Sequence, residues 1–211
     1  MKYRFITFEG GEGSGKGTQI RKVKAFLENK GYKVTATKEP GATNIGRQLR
    51  KILLDPRNKD LCFESELLLY IADRMQHINT VVKPALMGNK IVLCDRYHDS
   101  TLAYQLHGRG MNSELIGALQ RLLRILKPDI TFYLDLPCET GLKRSTTIEF
   151  GKPDRMEQES MEFHKRLRQG YIQIASSDPG RVKLIDATKS MDHVFSEILG
   201  YLDLAESTVI N

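Results

Sequence analysis

The sequence predicts an α/β fold: a five-stranded parallel sheet with helices on both faces, in three layers. Short, β-rich apolar runs recur at Tyr3–Phe8, Lys33–Thr37, Lys90–Cys94, Ile130–Leu134 and Val182–Ile185. Helix-period segments lie between them, and strands alternating with helices imply parallel pairing with crossovers covering both faces. A glycine-rich stretch follows the first run directly, which is how such folds open toward a ligand at the carboxyl ends of their strands.

Taken in order, the first run leads into a helix whose apolar stripe is Ile20, Val23, Phe26 and Leu27, closed by Lys30-Gly31. A long helix is expected from Ser65 to Met87, with Leu67, Leu68, Ile71, Met75, Ile78 and Val82 on one side. Leu115, Ile116, Leu119, Leu122, Leu123 and Leu126 form a third stripe, and Val194, Phe195, Ile198, Leu199 and Leu202 a last one. No repeat or low-complexity linker divides the 211 residues, so one domain is expected over the whole chain, residues 1–211.

Composition narrows the class. Apolar residues make up 40% and charged residues 27%, an ordinary globular balance. No apolar run approaches the roughly 20 residues of a membrane span, so neither a membrane partner nor a signal peptide is expected. Cys62, Cys94 and Cys138 are scattered and odd in number, which suggests reduced thiols in a cytoplasmic protein. The net charge of +6 is spread along the chain without a basic block. That suits small polyanions better than nucleic acid, for which no motif exists.

The glycine-rich stretch is Gly10-Gly11-Glu12-Gly13-Ser14-Gly15-Lys16-Gly17-Thr18. Glycines let backbone N–H groups turn inward around phosphate oxygens, and the following helix start adds partial positive charge. Lys16 is placed to reach the β- and γ-phosphates. The hydroxyl that usually follows this lysine is displaced by one residue, to Thr18. The D-x-x-G and N-K-x-D motifs of GTP switches are absent, which disfavours a non-catalytic nucleotide-binding module. The third strand ends in Cys94-Asp95-Arg96. An arginine after that aspartate suits an anionic acceptor better than an attacking water, so phosphoryl transfer between two polyanions is the expected chemistry.

Leu93-Cys94-Asp95-Arg96-Tyr97-His98-Asp99-Ser100-Thr101-Leu102-Ala103-Tyr104-Gln105 resembles the signature of the thymidylate kinase family, bacterial type, a P-loop nucleoside monophosphate kinase family. The likeness extends to Phe8–Gly13, Lys38–Thr43, Ala72-Asp73-Arg74, Lys83–Leu86, Lys127-Pro128-Asp129, Gly141–Arg144 and Asp154–Glu157. It implies ATP, Mg²⁺ and dTMP as ligands, dTDP as product and a homodimer. Glu39, Arg50, Tyr70, Arg74, Arg96, Ser100, Thr101, Tyr104 and Gln105 then surround the acceptor. Tyr70 stacks on thymine, Arg74 meets its edge, Arg50 and Arg96 take the phosphate, and Tyr104 blocks a 2′-hydroxyl. Asp95 organises the metal through water, with Thr18 close to it, and Glu12 sits near the sugar or the metal. Lys16-Gly17-Thr18-Gln19 also resembles the adenylate kinase loop, although that family's Asp-Gly-Phe-Pro-Arg segment is absent.

The chain departs from the family pattern in two places. Ala42 stands where a glycine is usual. The flap (LID) expected over about residues 143–155 reads Ser145–Pro153 without an arginine. Arg144 and Arg155 at its edges, with Lys143 and Lys152, are the candidate cations for the transferring phosphoryl group.

Overall fold

The computed structural model describes residues 2–148 and 153–203. Five strands, β1 (Phe5–Glu9), β2 (Val34–Lys38), β3 (Ile91–Asp95), β4 (Ile130–Asp135) and β5 (Val182–Asp186), form one parallel sheet in the order β2-β3-β1-β4-β5. This is the expected sheet. Each strand begins and ends within about two residues of its apolar run.

Alternation along the central strands explains how they serve two layers. Ile6, Phe8, Leu93, Phe132 and Leu134 face one side, where Ile20, Val23 and Leu27 of α1 (Lys16–Asn29) and Val194 and Ile198 of α9 (Met191–Tyr201) cover them. Phe5, Val92 and Cys94 face the other, against Ile78, Val82 and Ala85 of the long helix. Tyr133 on β4 meets Phe163, Leu167 and Tyr171 of α8 (Met161–Ser177) there. Each of these residues is buried, and two-sided burial is what makes the strands read as continuous apolar runs.

The long helix runs as α3 (Phe63–His77), a π-helical stretch Ile78–Val82 and α4 (Lys83–Met87). The widened turn precedes Pro84, whose ring crowds the carbonyl four residues back. The third stripe stops sooner than its periodicity predicts: α6 is Ser113–Leu122, and Arg124 takes a left-handed φ of 47°. Leu126 still packs on the core beside Val92, so the apolar spacing outlasts the helix.

Several helices had no expectation behind them. Along α2 (Asn44–Leu54), capped by the Thr43 hydroxyl on the Gly46 N–H, Ile45, Leu49, Ile52 and Leu53 fall at helical spacing, a signal present in the sequence, although only Gly46 and Leu53 are buried. The α8 helix carries Phe163, Leu167, Tyr171 and Ile174 at helical spacing behind an N-cap serine, Ser160, a signal present in the sequence. The Cys94–Gln105 segment folds as α5 (His98–Thr101) and a π-helical stretch Leu102–Gly108. The α7 helix (Cys138–Ile148) enters the flap region, whose centre, residues 149–152, lies outside the described residues, and with it the candidate Lys152.

Candidate active site

The site lies where β1, β2 and β3 end. The phosphate loop, Gly10–Thr18, turns through left-handed Gly13 (φ 63°) and Gly15 (φ 89°) into α1. No acidic residue occupies the first turn of α1 and no side chain caps it, so its N–H groups remain available to an anion. The loop is seated against the first turns of α7. A Cβ on Gly13 would lie 2.1 Å from the Gly141 carbonyl oxygen, and one on Gly141 would lie 2.3 Å from that of Glu12. Both positions therefore demand glycine.

Lys16 folds back over the loop, its Nζ donating to the Gly10 and Gly11 carbonyls at 3.0 and 2.9 Å. Burial, with Arg96 close by, holds its pKa below the ordinary lysine value. Arg96 donates through Nη1 to the Gly10 carbonyl (2.9 Å) and through Nη2 to Glu12 Oε1 (2.5 Å), and Tyr104 Oη donates to the same carboxylate oxygen (3.1 Å). Burial alone would raise the Glu12 pKa; the Arg96 and Lys16 charges outweigh it and bring the net shift down. The Arg96 guanidinium lies over the Tyr104 ring, 5.2 Å from its centroid.

Two hollows open from this point. A cavity is lined by Tyr70, Arg74, Thr101, Tyr104, Gln105 and Ser100, with Pro40, Leu54 and Met156 completing the wall. The second is a cleft over the phosphate loop, bordered by Gly13–Thr18 and Asp95. Glu12, Glu39, Arg50, Arg96 and Asp154 border both. The hollows therefore meet end to end at two arginines.

The cavity wall is held by a buried network. Arg74 donates to Glu39 (2.7 Å), Thr101 Oγ1 (2.6 Å) and the Tyr97 carbonyl (2.8 Å), using three of its five donors. His77 bridges Glu39 and Thr37, at 2.7 Å each. Asp73 accepts the Gly41 N–H (3.1 Å); burial and the nearby Glu39 push its pKa to about 6. Gly41 has φ 106°, and a Cβ there would come within 2.8 Å of Arg50 Cδ, so this glycine lets Arg50 cross it to the Pro40 carbonyl.

Several expected side chains are brought together but already engaged. The Ser100 hydroxyl is given to Glu9, and the Gln105 amide donates to Glu66 (2.9 Å). Arg155, expected as a catalytic residue, does not line the phosphate cleft in this structure. It is buried, its Nε donating to the Leu53 carbonyl (2.7 Å) and its Nη2 ion-paired with fully buried Glu66 at 2.6 Å, outside hydrogen-bond geometry. The same buried carboxylate also takes Arg109 (3.0 Å), and a buried Glu66 left without its guanidinium partners would be costly, which keeps Arg155 there. Arg144 is exposed beside Gly13, with Nη1 toward the Ala187 carbonyl at 3.5 Å. Asp154, named only as part of a motif, proves to border both hollows, and Ser145 pairs with Glu157 at the cleft edge.

Asp95 and Thr18 face the same cleft, and Asp95 Oδ1 is a buried oxygen with no hydrogen-bond partner. An unpaired carboxylate oxygen on the same cleft as a hydroxyl that accepts only from Arg21 (3.1 Å) fits Mg²⁺, which keeps several waters and is bound mainly by substrate phosphates.

The family model described as thymidylate kinase matches residues 8–198. The chain belongs to the thymidylate kinase family. It is 45% identical over 200 residues to a thymidylate kinase of Maridesulfovibrio salexigens, covering 92% of each chain. It is 44% identical over 201 residues to that of Nitratidesulfovibrio vulgaris, covering 92% of this chain and 94% of the relative. A crystal structure of thymidylate kinase from Ehrlichia chaffeensis superposes with a TM-score of 0.76 at 36% identity, covering 94% of this chain and 97% of that one. The geometry joins a phosphate loop, through Glu12, Arg50 and Arg96, to a cavity walled by an aromatic ring and a buried arginine.

Proposed function

We propose that the chain transfers the γ-phosphoryl group of ATP to dTMP, giving dTDP and ADP. The meeting of cavity and cleft at Arg50 and Arg96 is the observation that carries this reading. A phosphate monoester is largely dianionic at neutral pH, with a second pKa near 6, so its oxygen needs no general base. It attacks the γ-phosphorus while the bond to the β-γ bridging oxygen breaks, and catalysis reduces to alignment and charge neutralisation.

Tyr70, half-buried in the cavity wall, offers a ring face to thymine. Arg74 keeps two N–H groups beyond its three bonds for the base edge. Arg96 and Arg50 take the acceptor phosphate, and guanidinium forks suit that group. Glu12 and Tyr104, joined to each other, stand where the sugar passes between the hollows. Lys16 releases the loop carbonyls to follow the transferring phosphoryl group. Asp95 and Thr18 would hold Mg²⁺, which when bound screens the phosphates of ATP. Flap residues 143–155 close over the cleft to exclude water, with Arg144 the edge arginine left to act there.

The test is a coupled assay of the purified protein with dTMP, dUMP, CMP and AMP. The highest kcat/KM is expected for dTMP; faster turnover of AMP overturns the assignment.

A homodimer is part of the same proposal. Leu68 and Met87 on the long helix and Leu122 on α6 are 54%, 85% and 78% exposed, apolar side chains that a second copy of the chain would cover. Light scattering should give twice the chain mass, and a monomeric mass rejects the dimer. No described helix is long and apolar enough to cross a membrane; the cytoplasm, where nucleotides are held, is the proposed location.

A further inference from the structure

A buried carboxylate outside the machinery described above lies at the base of the Arg96 turn. Glu9, the last residue of β1, is 0% exposed. Its Oε1 accepts the Tyr97 N–H at 2.8 Å and the Ser100 N–H at 3.3 Å. Its Oε2 accepts the Ser100 hydroxyl at 2.6 Å and the Tyr171 hydroxyl at 2.9 Å. Four donors thus converge on one side chain, and three of them come from the residues just after Arg96.

Arg96 needs such support. Its φ is 62°, in the left-handed region that disfavours a non-glycine residue by about 1–2 kcal/mol. Its own N–H donates to the Phe8 carbonyl at 2.9 Å. The chain on either side of the strained residue is therefore stapled to the end of β1, by the Phe8 carbonyl and by the Glu9 carboxylate. Strain of this kind persists only where the surroundings over-determine it.

We propose that Glu9 is a positioning residue: through Tyr97 and Ser100 it holds Arg96 in the left-handed turn that aims its guanidinium at the junction of cavity and cleft. The proposal rests on the acceptor-phosphate role given to Arg96 above. Glu9 touches no substrate atom. Its work is to keep the arginine fork preset, so that acceptor binding does not have to order it.

Ionised Glu9 accepts from all four donors, whereas protonation weakens its hold on the two N–H groups. Burial and nearby Asp99 raise its pKa to about 7, so this change falls in an accessible range. The charged and titratable groups facing it are Asp99 on α5 (paired with Arg181 at 2.6 Å), Arg96, Lys16 on α1, Arg74 on α3 and the Tyr171 hydroxyl on α8.

The experiment compares wild type, Glu9→Gln and Tyr171→Phe in kcat/KM for dTMP from pH 5.5 to 9 (a range set by the pKa of about 7), with thermal melts of each. Wild-type turnover of dTMP comes first: its absence sinks the functional reading and leaves Glu9 unaddressed by kinetics, so the two failures stay distinct. Given turnover, Glu9→Gln is expected to raise KM for dTMP about tenfold at pH 8, as for loss of one charge-assisted bond, and to leave KM for ATP unchanged. The substrate's own phosphate titration is common to all variants. Beyond it, wild type should lose efficiency below about pH 7, Glu9→Gln should lack that extra limb, and Tyr171→Phe should shift the limb upward because the carboxylate loses a donor. The Tyr171→Phe ring still stacks on Tyr133, at 4.8 Å between centroids, so this variant carries the test if Glu9→Gln does not fold. Equal changes in both KM values, or an acid limb identical in all three proteins, overturn the proposal.

Discussion

Lys16 illustrates how a residue can be named from sequence while its resting state cannot. Its position after Gly15 marks it as a phosphate ligand, yet its Nζ rests on the Gly10 and Gly11 carbonyls. These bonds satisfy the buried ammonium until phosphate oxygens replace them. Lys16→Ala should lower kcat by about 10²-fold or more, with a smaller change in KM for dTMP, measured in the coupled assay. Asp73 makes a different point. Its folded pKa of about 6, above the ordinary 3.8, means the folded state binds its proton more tightly than the unfolded chain does. Wild-type stability contributed by this group is thus greatest at low pH and declines as pH rises through that window. Asp73→Asn keeps an oxygen for the Gly41 N–H and removes the titration. The Tm difference, variant minus wild type, should grow more favourable from pH 4 to pH 7; a flat or opposite trend rejects the account.

At the scale of elements, the phosphate loop and α7 are fitted by two glycines that face each other. The sequence displays Gly13 inside an obvious motif and Gly141 inside a helix, where glycine is otherwise a poor choice. Only the packing shows that they are one contact, each with room for a hydrogen and none for a Cβ. Gly13→Ala and Gly141→Ala should each destabilise by about 1–3 kcal/mol. The double variant should lose less than the sum, because one displacement of α7 relieves both clashes; urea unfolding of the three variants checks this. The helices show the limits of periodicity more generally. α6 ends before its apolar spacing does, since Ile125 and Leu126 reach the core from the irregular chain beyond it. The α2 helix places Arg50, and its stripe of Ile45, Leu49, Ile52 and Leu53 was legible in the sequence although most of the helix faces outward.

Across the whole molecule, Glu66 ties together parts that are far apart in the chain. It is 0% exposed and receives Gln105, Arg109 and Arg155, while Arg109 also reaches Glu159 at 2.6 Å. The long helix, the π-helical wall of the cavity and the segment following the flap meet on this one carboxylate. Glu66→Gln leaves two buried guanidinium groups undercompensated, and a loss on the order of 3 kcal/mol is expected in urea unfolding. Hydrogen exchange should quicken over residues 153–160 and stay unchanged over the phosphate loop, residues 10–18; equal acceleration in both would contradict a local tie.

The fold class, the strand runs, the phosphate loop and the Asp95-Arg96 strand end follow from local chemistry: short continuous apolar runs, glycines that free the backbone, a charge at a strand terminus. Such features are set by neighbours in the chain, so the sequence by itself determined them. What each charged side chain does was decided by tertiary structure alone. Arg155 and Arg144 look alike beside the flap, yet one is buried on Glu66 and the other stands exposed by Gly13. Partners of buried charges come from residues as distant as Glu66 and Arg155, and no spacing rule records which acid will be waiting.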